Sequence, residues 1–156
     1  MKTLKDISGM KGKRALVRVN YNVPLKGNKI LDIRRIDASF ATIRALQKKG
    51  MQVILLAHLG DGTPSLKPIA TYLAKHFLVK FVTTPIGEGV PPVAKDTLIL
   101  FENIRRYEGE KINDKKFAKV LARLGDIFVN DAFPDSHRKH ASIVGVAKLL
   151  PSFAGI

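Results

Sequence analysis

The chain predicts an α/β domain of three layers: a Rossmann-like, largely parallel sheet flanked by helices. Three observations lead there. Short apolar runs alternate with amphipathic stretches along the whole length. Several of those runs are apolar at consecutive positions, as strands buried on both faces must be. Strand, helix and strand repeated in order call for right-handed crossovers between parallel neighbours. At 156 residues the chain is long enough to bury a real core and is read as a single domain, residues 1–156. Its 46% hydrophobic content separates it from a disordered chain.

Taken in order, Ala15 to Val19 reads as the first strand. Arg35 to Lys49 follows as a helix, with Ile36, Phe40, Ile43 and Leu46 at steps of three and four and Gly50 where a helix-ending glycine belongs. Val53 to Ala57 is the second strand. Ser65 to Phe77 is a helix that opens at Ser65, carries Pro68 in its first turn and continues through Ile69, Leu73 and Phe77. Val79 to Val82 and Thr97 to Phe101 are strands. Asn113 to Leu124 is a helix with Asn113 as its cap, Phe117, Val120, Leu121 and Leu124 as its stripe, and Gly125 at its end. Ile127 to Val129 is a last strand, and Ala141 to Leu150 a last helix stopped by Pro151.

Charge narrows the partners. Lys and Arg number 27 against 13 Asp and Glu, a net +14, which attracts nucleic acid, anionic lipid and small phosphorylated metabolites alike. The cations are not gathered into a tail, because the longest basic runs are pairs such as Arg34–Arg35 and Arg105–Arg106. No window approaches the ~20 apolar residues of a membrane helix, and the opening MKTLKDISGMKGKR is too polar for a signal peptide. No membrane association is expected, and the location expected is cytoplasmic. With no Cys, disulfides and thiolate-held metals are excluded.

In open parallel sheets ligands collect beyond the carboxyl ends of the strands. There the sequence delivers Asn20 and Asn22, then His58, then Glu102 to Arg106, then Asn130, Asp131 and the stretch to His140. The opposite ends offer mostly Gly and Lys. Arg35, Arg105, Arg138 and His58, with Arg18 nearby on its strand, are expected to line one cationic basin. Arginine grips phosphate or carboxylate with a planar fork, each charge-assisted bond contributing roughly 1.5 to 3 kcal/mol. A lone Arg is ordinarily a carbonyl cap or half of a surface ion pair; several at strand ends point to an anion site. His137 and His140 flank Arg138, yet no third ligand of suitable geometry follows, so no metal is expected. Asn20 and Asn22 suit a hydroxyl-bearing ligand, and a turn before Pro24 explains them equally well. The sequence holds neither a Gly-rich phosphate loop nor a nucleophile elbow. Any catalysis would therefore act by positioning and charge stabilisation.

Together these motifs resemble the amino-terminal, substrate-binding domain of phosphoglycerate kinase. The resemblance rests on Val17-Arg18-Val19-Asn20-Tyr21-Asn22-Val23-Pro24-Leu25, Arg35-Ile36, His58-Leu59-Gly60, Ser65-Leu66-Lys67-Pro68 and Glu102-Asn103-Ile104-Arg105. Val129-Asn130-Asp131-Ala132-Phe133 and His137-Arg138-Lys139-His140-Ala141-Ser142 complete it, in the right order over nearly the whole chain. It implies phosphoryl transfer between 1,3-bisphosphoglycerate and ADP, or between ATP and 3-phosphoglycerate. The glycerate would sit on this domain and magnesium nucleotide on a second one. By motif, Asn20 and Asn22 would serve the substrate. Arg35 would meet its carboxyl end and the transferring charge, and so act in catalysis. Arg105 and Arg138 would hold the 3-phosphate, and His58, Arg18, His137 and His140 would complete the patch. A monomer with no cofactor and no specific nucleic acid of its own is implied.

The family has Asp where Asn20 stands, Arg-Pro where Asp61-Gly62 stands, and a longer loop where Thr63-Pro64 stands. Exchanging a phosphate-facing cation for Asp61 is expected to weaken substrate binding about tenfold to a hundredfold. The nucleotide-binding half is not in this sequence, so the chain alone is not expected to turn over. The alternative reading is a non-catalytic binder of phosphometabolites or polyanions derived from the same domain.

Overall fold

A computed structural model describes residues 1–156 in full. From the amino end run β1 (Arg14–Val19), a small hairpin of β2 (Leu25–Lys26) and β3 (Lys29–Ile30), then α1 (Arg34–Ala38) and α2 (Phe40–Lys48). They are followed by β4 (Gln52–Leu56), α3 (Lys67–Leu73), β5 (Leu78–Val82), β6 (Thr97–Phe101), α4 (Lys115–Ala122), β7 (Ile127–Asp131) and β8 (Ser152–Ala154). Six strands make one sheet in the order β5-β6-β4-β1-β7-β8, and every neighbouring pair is parallel. The expected three-layer α/β architecture is therefore the observed one.

Strand alternation splits the core in two. Val17, Leu55, Leu100 and Val129 pack with Ile36, Ile43, Leu46, Ile69 and Leu73 of α1, α2 and α3 on one face. Leu16, Ile54, Ile99 and Phe128 pack with Ala118 and Leu121 of α4 on the other. Side chains this deeply buried contribute about 1.5 to 3 kcal/mol each relative to exposure. The same period of two decides where the polar strand ends go. Arg18 follows Val17 and pairs in register with Leu56, so it rises on the α4 face. Asp131, two residues beyond Val129, rises on the α2 face, where its Oδ1 accepts a 2.9 Å hydrogen bond from the Thr42 hydroxyl.

Four local differences from the expected elements have physical causes. The single helix expected over 35–49 is two, because the Ser39 hydroxyl bonds the Ile36 carbonyl (2.6 Å) and the Tyr21 hydroxyl (2.8 Å) and breaks the ladder between α1 and α2. The cap of α4 is Asp114, whose Oδ2 accepts from Phe117 N at 2.8 Å; Asn113 instead takes a left-handed φ of 52° just outside it. The last helix opens as one turn of π-helix, Ala141–Gly145, in which the His140 carbonyl receives Val144 N at 2.8 Å and Gly145 N at 3.4 Å. β7 runs on past Val129 because Asn130 and Asp131 still pair with Arg18 and Val19, polar side chains notwithstanding. Gly50 does end α2, at φ 76°, with Met51 N returning to Leu46 O at 3.2 Å. The β2–β3 hairpin and the short edge strand β8 are additions that periodicity over so few residues does not announce.

Candidate functional site

The loops after β1, β4 and β6 are stitched together across the open end of the sheet. Arg35 Nη1 donates to Asn22 O (2.9 Å), Gly60 N donates to Asn22 Oδ1 (3.0 Å), and Arg105 Nη1 donates to Gly60 O (2.8 Å). Asn103 anchors the underside, accepting from Leu59 N (3.3 Å) and donating to Leu59 O (2.7 Å) and Pro64 O (2.9 Å). Gly62 is required there: its φ is 106°, and a Cβ would sit 2.8 Å from the Arg105 carbonyl carbon and oxygen. The backbone that aims Arg105 is thus fixed by contacts from a loop 45 residues away.

Arg18 is fully buried and all of its nitrogens are engaged. Nε donates to Ser142 Oγ (2.8 Å), Nη1 to Val19 O (2.6 Å), and Nη2 meets His58 Nδ1 at 2.7 Å. Because a guanidinium can only donate, His58 Nδ1 is the acceptor and its hydrogen resides on Nε2. Ser142 passes the contact on: its hydroxyl donates to Glu110 Oε2 (2.5 Å) and its amide to Glu110 Oε1 (2.7 Å). The Arg18 charge is therefore balanced through a hydroxyl by a carboxylate that is itself fully buried.

His58 supplies no positive charge to the basin. Burial first, then the charges of Arg18, Arg105 and Arg138, push its pKa down to about 3. His58 and Arg18, expected within the cationic patch, form its buried wall here, the ring of His58 accepting from Arg18 and each Arg18 nitrogen bonded within the protein. His140 is also buried, and burial is the first cause of its lowered pKa. Its Nδ1 has no partner within the chain. His137 lies exposed on the same turn.

The rim holds the available cations. Arg105 keeps Nε and Nη2 buried and unpartnered, with burial and the nearby charge of Arg138 lowering its pKa. Arg138 leaves 44% of its side chain exposed. Arg35 and Asn20 stand on the other side, lining a cleft of about 180 Å³ with Asp131, Phe133, Pro134 and Ile156. Asn20 is buried, and its Oδ1 caps its own turn by accepting from Asn22 N at 3.3 Å. Asp131 in that cleft has its pKa raised to about 6 by burial, with the Thr42 hydroxyl opposing. Asp61, expected to point an anion at the substrate, is exposed and caps its own loop through Thr63 N at 2.9 Å.

Sequence reasoning missed Glu110, Ser142 and Asp135. Asp135 matters most: its side chain is 8% exposed, its Oδ1 lies 3.3 Å from Arg138 Nε, and its Oδ2 has no hydrogen-bond partner. Its 3.9 Å approach to His58 Nδ1 is no ion pair, because that nitrogen is already an acceptor on a neutral ring. The one available signal was an acid three residues before Arg138, on a segment whose fold the sequence did not specify. No three of the chain's His, Asp and Glu side chains are grouped to hold a metal ion, and no helix is long and apolar enough to cross a membrane.

These features define a Rossmann-like α/β domain with a cationic basin at the open end of a parallel sheet. A sequence profile of the family described as phosphoglycerate kinase matches residues 4–156. Phosphoglycerate kinase of Borreliella burgdorferi (strain ZS7) is 46% identical over 167 residues, covering 99% of this chain and 42% of that protein. The Mesorhizobium japonicum phosphoglycerate kinase is 47% identical over 166 residues, covering 99% of this chain and 42% of that protein. The solved phosphoglycerate kinase of Coxiella burnetii superposes with a TM-score of 0.88 at 34% identity, covering 97% of this chain and 40% of that one. The chain belongs to the phosphoglycerate kinase family, and it spans about 42% of the length of the curated relatives it matches.

Proposed function

We propose that this chain is the substrate-binding half of a phosphoglycerate kinase. It would hold 3-phosphoglycerate or 1,3-bisphosphoglycerate for phosphoryl exchange with ATP or ADP, the magnesium nucleotide being carried by a second domain. The observation that carries the reading is Arg105: two buried guanidinium nitrogens without partners beside the charge of Arg138, at the open end of the sheet. In this role Arg105 and Arg138 take the 3-phosphate. Arg35, exposed and tethered to Asn22, meets the carboxyl end and the charge in transfer. Asn20 and Asn22 hold the approach, while Arg18, His58 and His140 support the wall and His137 adds to the rim. The chain by itself performs no turnover, and we place it in the cytoplasm as a monomer.

A calorimetric titration with 3-phosphoglycerate, at low and at physiological salt, tests this. Inorganic phosphate and a short DNA duplex serve as competitors. Saturable, glycerate-selective binding that survives salt and is lost in Arg138→Ala is the expected result. Equal, salt-erased binding of every anion would replace it with the second reading, a non-catalytic phosphometabolite or polyanion binder. One observation favours that second reading, the carboxylate of Asp135 inside the basin.

A further inference from the structure

The basin contains an anion of its own. Asp135 sits at the end of the short turn Phe133–Asp135, held by its amide to Ala132 O at 2.9 Å, with Arg138 N returning to its carbonyl at 2.9 Å. Its carboxylate faces cations on several sides: Arg138 at 3.3 Å by direct contact, and Arg18 and Arg105 through their fields. Yet Oδ2 is buried without a hydrogen bond, while Arg105 Nε and Nη2 are likewise unpaired. A second unpaired group points to a ligand, His140 Nδ1, on a residue only 9% exposed. A carboxylate engaging one arginine and leaving the donors of another free is a partial occupant. A phosphate, with more oxygens and more charge, reaches both.

We propose that Asp135 is a resident anion of the arginine basin, and that a phosphate-bearing ligand binds by displacing it. The turn is suited to yielding: Pro134 is exposed and Phe133 is 49% exposed, so moving it uncovers little core. Asp135 is then a determinant of affinity and selectivity. Ligands of higher charge displace it and weaker anions do not, which screens the basin from carboxylates such as acetate. The proposal rests on the glycerate reading only for the choice of one probe.

The test is calorimetric titration of this chain and of Asp135→Asn and Asp135→Ser with inorganic phosphate and, separately, with 3-phosphoglycerate. Both variants should bind both ligands at least about tenfold more tightly, and acetate should begin to compete. Unchanged or weaker affinity for both ligands, in variants whose thermal midpoint matches the parent's, overturns the proposal. A measurement on the unaltered chain needs no variant to fold. During a phosphate titration the Asp135 carboxyl carbon resonance should shift saturably in step with the Arg105 Nε–H resonance, and a static carboxyl while Arg105 responds also overturns it. Tightened phosphate binding with no preference for 3-phosphoglycerate supports the resident anion and removes the glycerate reading. Selective 3-phosphoglycerate binding that Asp135→Ser leaves unchanged does the reverse.

Discussion

Arg18 and Arg138 belong to the same basin, but Arg18 has no exposed surface and places its donors on Ser142, Val19 and His58, whereas Arg138 leaves 44% of its side chain in solvent and meets one carboxylate. The difference lies in what each charge is balanced by. The inner charge is balanced inside the protein, by Glu110 through Ser142, and its side chain has no exposed surface, so it fixes structure. The outer charges of Arg105 and Arg138 are only partly balanced, so they remain available. One residue type thus serves as scaffold or as bait, and strand register decides which: Arg18 is committed to the wall by pairing level with Leu56.

The contrast is broken most severely at Arg18. Arg18→Met strands Glu110, Ser142 and His58, and should lower unfolding free energy by about 3 to 5 kcal/mol in urea titrations. Arg138→Ala should cost under about 1 kcal/mol by the same assay while removing anion binding. Equal losses in the two variants would show that wall and rim are not distinct.

Acid sharpens the contrast next. A histidine whose folded pKa is pushed down to about 3 contributes stability that is whole above its unfolded pKa of 6.5 and is lost as pH falls toward 3. Between pH 6.5 and 5 this loss is about 2 kcal/mol. Asp131 acts oppositely. Its pKa is raised to about 6 from 3.8, so its contribution is present below 3.8 and disappears as pH rises through 6. Asp131→Asn, which keeps an acceptor for the Thr42 hydroxyl, should therefore stabilise the fold by about 1 to 2 kcal/mol at pH 7, allowing for partial exposure, and steepen the acid decline. Thermal midpoints at pH 7, 5 and 4 check both signs. Gly62→Ala gives a comparable effect by another route. A Cβ pressed on the Arg105 backbone at a φ of 106° should cost about 1 to 3 kcal/mol and loosen anion binding through Arg105 without touching its side chain.

The layers, the strand runs and the open end of the sheet were legible because they depend on local patterns, apolar runs of five residues and stripes at helical spacing. Thr97–Phe101 emerged residue for residue. The pairing of loops was not legible, since Arg105 meets Gly60 and Arg18 meets Ser142 only once distant segments stack. The states of the site residues were less legible still. Whether an arginine is wall or rim, and whether His58 carries a proton, depends on burial that the spacing of residues does not encode. Asp135 shows the limit: in sequence an ordinary turn acid beside Pro134, in space a charge in the centre of the site.

The placement of β1 between β4 and β7 has a consequence in time. The Ser142 hydroxyl that receives Arg18 lies 124 residues downstream, and the Arg14 amide closes on Asp126 across 112. Loops that long must close before their contacts reward them, which puts folding in the millisecond-to-second range of chains rich in non-local pairing. At about 5 to 20 residues per second, a ribosome needs on the order of ten seconds to carry synthesis from the first strand to the seventh. For that interval the innermost arginine of the basin is a solvated side chain on an incomplete sheet. The wall is therefore a late product of synthesis, since its Ser142 follows every arginine of the rim along the chain.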